Sequence, residues 1–354
     1  MRQTRPARQF VARALLRAAS PLLATLATAN QPGGLNRTHP DSPPLLLAPE
    51  GATVQFILLL TYKADRRTLL YMSVTTALFI VQWNLARLQP LLYLWYLFMA
   101  VSVAIIAHNH NHVPMWRSRF LNIATDYWLT LFYGFPAFGW IPTHNKNHHL
   151  LNNKQGDYTL TYRLSEKNNI FTLLSYPSVS SYFQQEPIAA YLKTLWRSNR
   201  PKFHLAASQY LVLGLYYAVA LLWNWKNALL FIVIPHQVSL FSVLIFNYVQ
   251  HVHTDEESEF NHARNFTGLI NQMLFNNGYH TIHHQAPGIH WSQAPAAQRK
   301  IESLIDPSLN ERSFWWYIAR VYLLAPFYSP FRSVSLRLRR INAHQSGAAS
   351  RPIS

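Results

Sequence analysis

No cysteine occurs anywhere in the 354 residues. That absence removes thiolate-ligated metals, iron–sulfur clusters and any disulfide framework from consideration. Charge is also scarce: Asp, Glu, Lys and Arg together make up 13% of the chain, about half the share usual in soluble domains. Acids are rarest, with 14 Asp and Glu against 31 Lys and Arg and none before Asp41. The 11 glycines form no phosphate-cradling loop. Half the residues are hydrophobic, and low charge with long apolar runs is the composition of a chain that enters a membrane. A net charge of +17 could suggest nucleic acid. The basic residues flank apolar runs instead of gathering on a soluble domain, however. They read as topology charge and attraction to anionic lipid, and no nucleic-acid partner is expected.

Residues 68–86, 88–107, 205–225 and 227–250 contain no charged residue, and each approaches the roughly 20 residues a helical span needs. Only Arg87 separates the first pair and only Lys226 the second, so each pair reads as a tight helical hairpin. Pro235 predicts a kink in the fourth span. Lys63, Arg66 and Arg67 precede the first hairpin, and basic residues from Arg117 to Lys202 lie between the two. The positive-inside bias therefore places both termini and the central segment in the cytoplasm. Residues 127–143 are apolar but broken by Gly134, Pro136, Gly139 and Pro142, which suggests an interfacial or re-entrant piece. Residues 171–192 carry Pro177, Glu186 and Pro187 and are expected on the surface.

This gives an all-α integral membrane protein, with four transmembrane helices in two hairpins and a cytosolic helical cap. Its expected parts are a basic, partly disordered segment at 1–50, a membrane domain at 51–330 and a basic disordered tail at 331–354. The Arg-rich first 30 residues fit a transit peptide or, preferably, an amphipathic helix on anionic lipid.

Histidine is the outlier, with 17 residues clustered where spans end. The second span delivers His108-Asn-His110-Asn-His112; then come His144-Asn-Lys-Asn-His148-His149, Asn247-Tyr-Val-Gln-His251-Val-His253 and Gly278-Tyr-His280-Thr-Ile-His283-His284. Residues four apart share a helix face, so His108 with His112, His144 with His148, and Asn247 with His251 are each placed to act together. Imidazole suits iron, copper and zinc alike. Nine histidines from four places exceed one tetrahedral zinc site and suit two metals. Two returning hairpins bring all four clusters to one membrane face. His39, His204, His236 and His344 read as isolated packing or interfacial residues, and His110 lies on the far helical face from its neighbours. His253, His262 and His290 lean towards supporting or structural roles.

The pattern His-x3-His, His-x3-His-His and His-x2-His-His on two hairpins resembles the membrane fatty acid desaturase superfamily over roughly residues 67–293. Asn247-x3-His251 is similar to the extra ligand motif of acyl-CoA desaturases. The resemblance implies two non-haem iron ions ligated by His108, His112, His144, His148, His149, His251, His280, His283 and His284, with Asn247 approaching through a water. It also implies an acyl chain in a buried tunnel, O2 as oxidant, and two electrons from a donor such as ferredoxin or cytochrome b5. Substrates of such enzymes are fatty acids or acyl thioesters, and desaturation is the expected outcome. Oxidative decarboxylation of a free acid to a terminal alkene, acetylenation and hydroxylation share the same boxes. Residues 278–291 look like bacterial members, so the expected location is a bacterial inner membrane with the active site facing the cytoplasm. Carboxylates are expected to orient the imidazoles, and Asp157, Asp126 and Asp255 are the candidates because each lies near a cluster. A metal transporter would carry ionisable groups mid-membrane, whereas only His236 lies there. A structural zinc protein would hold zinc and no iron.

Overall fold

The computed structural model describes residues 59–346. The expected N-terminal segment at 1–50, His39 within it, and the last residues of the expected tail lie outside the described residues. Among the described residues, apart from a two-residue parallel pair, β1 (Asn265–Phe266) with β2 (Asn310–Glu311), the regular structure is helical.

The first hairpin is α1 (Arg66–Asn84) and α2 (Pro90–His112). Pro90 opens α2, where its fixed φ suits the first turn and its missing N–H is no loss. Pro114 closes it by forcing Val113 to extended backbone. The Ser118 hydroxyl caps α3 (Arg119–Tyr133), which ends at Gly134 with φ +83°. A Cβ on Gly134 would meet the His236 ring at 2.4 Å, so only glycine fits there. The expected re-entrant piece at 127–143 is thus the second half of α3, a 3₁₀ turn and the start of a π-helical segment, Ile141–His148.

Residues 171–192 form two helices, α4 (Ile170–Phe183) and α5 (Gln185–Ser198), the first opened by a capping box between Asn169 and Thr172. In α6 (Arg200–Ala228) the backbone breaks at Asn224 (φ −157°, ψ 91°), and the Asn224 side chain accepts the Asn227 N–H to restart the helix. The chain doubles back at that break and continues through a π-helical turn, Leu229–Val233, into α7 (Ile234–His251). Tyr217 Oη lies 2.6 Å from His236 Nδ1, whereas 19 residues of straight helix would hold them about 28 Å apart.

No break falls at Pro235, where a kink is expected: Val233 and Ile234 keep helical φ/ψ, and the change is one of register, the π turn just before the proline. Proline cannot donate to the carbonyl one turn back. Tyr96 Oη instead donates to Phe231 O at 3.0 Å, and Tyr93 Oη to Leu230 O at 2.8 Å. Neighbouring helices re-satisfy freed carbonyls in this way where water is absent. Farther along, Ser239 Oγ donates to Ala100 O at 2.9 Å. These three bonds run α2 and α7 side by side in the same direction, and both helices end in histidines. Val103 to Ala107 of α2 are essentially inaccessible, packed with Leu129, Tyr133 and Phe275. Pro90–His112 and the stretch Arg200–His251 are long and apolar enough to cross a membrane. Leu91 and Leu222 stand out from them, 82% and 89% exposed.

Beyond α7 come α8 (Leu269–Met273), α9 (His280–Gln285), α10 (Ala294–Ile301), α11 (Phe314–Ile318) and α12 (Leu336–Gln345). The last corrects the expectation of a tail disordered from 331. Leu336 is buried in a cluster with Ile305 and Leu309. Arg337 pairs with Glu166 and Glu256, and Arg340 with Asp255 at 2.7 Å and Glu256 at 3.0 Å. Acids far back in the chain neutralise the basic helix and tie it to residues 166 and 255–256.

Candidate metal centre

The four histidine clusters meet. One nitrogen from each of His108, His112, His144, His149 and His283 lies within 4.8 Å of the others, and the same holds for His148, His251, His280 and His284. Groups of five and four thus stand side by side, and the ring centroids of His144 and His148 are 5.2 Å apart.

Local backbone geometry sorts the rings between groups. On α2, His108 and His112 are four apart and share a group, as α-helical spacing predicts. The π-helical segment behaves differently. His149 donates its backbone N–H to His144 O, closing a five-residue register. That register sets His144 edge-on to His149, with their Nε2 atoms 3.1 Å apart, and sends His148 to the other group. The expected pairing of His144 with His148 is corrected accordingly. On α9, His280 and His284 share the group of four while His283 turns to the group of five. Just ahead of α9, a Cβ on Gly278 would lie 2.2 Å from Phe266 O, so glycine lets this strand of chain approach β1.

The spacing of the nitrogens suits metal ions. His108 Nε2 lies 2.9 Å from both His144 Nε2 and His283 Nε2; His251 Nε2 lies 3.1 Å from His148 Nε2 and 2.9 Å from His280 Nε2. A metal–imidazole bond of about 2.1 Å puts two ligand nitrogens at right angles about 3.0 Å apart. Hydrogen bonding alone cannot satisfy such a set, because one nitrogen facing two others donates at most one proton. Buried ring nitrogens of His112, His149, His280 and His284 have no hydrogen-bond partner. Burial, followed by repulsion among neighbouring rings, holds His144, His280, His283 and His284 well below the usual histidine range. They are neutral, the form that binds metal.

Acceptors behind some rings fix their aim. His148 Nδ1 faces Asp157 Oδ2 at 2.8 Å, with both side chains fully buried. Burial disfavours the Asp157 charge, but His148 and the Thr159 hydroxyl and N–H outweigh it and hold the carboxyl below its usual range. Asn153 N–H also donates to Asp157 at 2.8 Å. His251 Nδ1 donates to His262 O at 3.2 Å, and His108 Nδ1 to Asn277 Oδ1 at 2.8 Å. Such outer acceptors set tautomer and ring orientation at metal sites.

Asp126 and Asp255 do not serve in this way. Asp126 lies 3.6 Å from His110, which is buried on the far face of α2 and accepts the Met115 N–H. Asp255 is bound to Arg340. Asn277, Thr159 and the His262 carbonyl were missed from sequence, since nothing in their spacing marks them. His253 bridges Glu166 and Ser333, His290 bonds Asp65 and stacks on Tyr62, and His236 bonds Leu131 O and Tyr217. Asn247 donates to Tyr176 Oη at 2.6 Å and lines a cavity.

That cavity touches both groups. His108 and His144 contribute from one and His280 from the other, while Leu240, Val243, Leu244 and Phe246 of α7 give it an apolar wall. An apolar slot thus opens onto two clustered sets of neutral imidazoles that could each hold a metal ion. The sequence profile of the fatty acid desaturase family matches residues 85–315, which include all nine of these histidines, and the chain belongs to that family. Membership makes it a desaturase-like fatty acyl oxidase in the general sense, from a membrane-associated family. No curated protein and no solved structure matches it.

Proposed function

We propose that this chain is an integral membrane di-iron oxidase that desaturates fatty acyl chains with O2 and two external electrons. One observation carries the reading: imidazoles from four separate elements gather as two adjacent groups, and one apolar cavity opens onto both. His108, His112, His144, His149 and His283 would hold one iron, and His148, His251, His280 and His284 the other, with Asn247 contributing through a water. Bound iron supplies the O2 chemistry that an unactivated C–H bond requires and side chains lack.

The remaining work falls to the chain itself. Leu240, Val243, Leu244 and Phe246 line the path of an alkyl chain and exclude water from it. Asp157 keeps the proton of His148 on Nδ1 and Asn277 does so for His108, so both Nε2 lone pairs point inward. Lacking cysteine for a cluster, the chain takes electrons from a partner such as ferredoxin or cytochrome b5.

In this reading α1, α2, α6 and α7 are four spans within a desaturase-like domain at 51–330. The other helices cap their cytoplasmic end, in a bacterial inner membrane. The test is gas chromatography of lipids and headspace from a host expressing wild type or His148→Ala. An internal alkene made only by wild type supports the reading. A terminal alkene one carbon shorter would reassign the chemistry to decarboxylation, an alcohol to hydroxylation and a triple bond to acetylenation. Iron-loaded protein that yields none of these would overturn the oxidase reading itself.

A further inference from the structure

Residues 313–331 lie beyond His284, the last histidine of the two groups, and outside the four proposed spans. They comprise α11, a π-helical stretch (Ala319–Leu324) and a turn through Ser329–Phe331. One face is buried: Phe314, Tyr317, Val321 and Tyr322 pack in a cluster with Leu173 of α4 and Tyr248 and Val249 of α7. The opposite face is bare and apolar. Trp315 is 67% exposed, Leu323 57%, Phe327 89% and Tyr328 55%. Arg320, the single charge between 313 and 331, does not break this face. It lies 2.5 Å from Glu311 Oε1, and its guanidinium sits over the Tyr317 ring.

We propose that this segment lies in the plane of the membrane interface, with Trp315, Leu323, Phe327 and Tyr328 in lipid. Three observations favour lipid as the occupant. The segment is fastened to the histidine end of a proposed span: the Phe314 ring lies 5.1 Å from Phe246, little more than one turn before His251. Tryptophan and tyrosine beside aliphatic residues are the composition of the headgroup boundary. Exposed Arg312 and Arg332 bracket the apolar face and suit anionic headgroups. The C-terminal part is then no free-standing soluble cap; it is held at the membrane surface by its own wedge. Because the wedge packs on Tyr248 and on the helix carrying Tyr176, it also sets the height of the imidazole groups above the lipid.

This inference rests on the membrane reading above, and a cysteine-free chain makes both testable by single spin labels. Protein bearing Phe327→Cys, Leu215→Cys or Ser303→Cys would be labelled with a nitroxide and reconstituted in phosphatidylcholine–phosphatidylglycerol vesicles. Collision with O2 and with a water-soluble nickel chelate would then be compared. The label at 327 is expected to match the one at 215, with an O2-to-nickel ratio several-fold above that at 303. A ratio at 327 equal to that at 303, or shielding from both reagents as a second protein copy would give, overturns the wedge. A water-like reading at 215 as well would instead bring down the membrane reading. Leu323→Cys repeats the measurement should the Phe327 variant fail to fold.

Discussion

In the group of four, His148, His251 and His280 are all buried; His148 is backed by Asp157 and Thr159, and His251 by the His262 carbonyl. In the group of five, His112, His149 and His283 are only partly buried, and His108 is backed by the single amide of Asn277. The inward-facing atoms are the same in both. What differs is the support behind them and their distance from water. If both groups hold iron as proposed, the contrast predicts readier exchange at the five-membered group and retention at the four-membered one.

The largest expected effect breaks the buried group. His148→Ala should abolish turnover, lose iron and destabilise the fold by about 2–3 kcal/mol, because Asp157 keeps its burial but loses the Nδ1–H donor that satisfies it. His149→Ala should lose iron with little change in stability. Equal melting points for the two variants, measured beside metal content, would refute the contrast. Next, Asp157→Asn should cost about 10–100-fold in iron affinity, and Asn277→Ala less, as competition with a coloured chelator would show. Third, a chelator added to loaded protein should remove iron in two phases, the faster one absent from His149→Ala; a single phase would mean that burial does not govern release. The smallest effect should come from Asp126→Asn, which lies at neither group and should leave iron content unchanged. Burial raises the Asp126 carboxyl from 3.8 to about 7, so ionising it opposes folding. Wild type should therefore lose stability as pH rises through that window and the variant should not. The loss should be modest, since the side chain is 28% exposed.

Both hairpins were legible because a charge-free run of span length has few alternatives in a folded chain. Their turns were nearly legible too: Lys226 marked the second, which falls at Asn224. The nine histidines were readable as a set, and His108 with His112 as a pair. The partition at His144, His148 and His149 was not, since a π register leaves no trace in spacing read at four residues. Asp157 stood out by closeness in sequence to His149. Asn277 and His262 come from irregular chain between β1 and α9 or just before it, where neither period nor charge points inward. The ordered α12 was hidden for another reason: its basic residues look solvated until Glu166, Asp255 and Glu256 arrive from elsewhere in the fold.

Tyr93 and Tyr96 sit near the opposite end of α2 from His108 and His112, yet their hydroxyls are tied to Leu230 and Phe231 at the head of α7. These phenols act as the zero mark of a ruler. Measured from the bond between Tyr96 and Phe231, His108 lies 12 residues along one rod and His251 20 residues along the other, so at about 1.5 Å per residue the notch sets a fixed offset of about 12 Å between them. A slip of even one residue at the notch would separate the two sets of rings by half the gap now between neighbouring nitrogens. Alignment of the histidine end is in this way fixed at the far end, by phenols that belong neither to the two imidazole groups nor to the lining of the cavity.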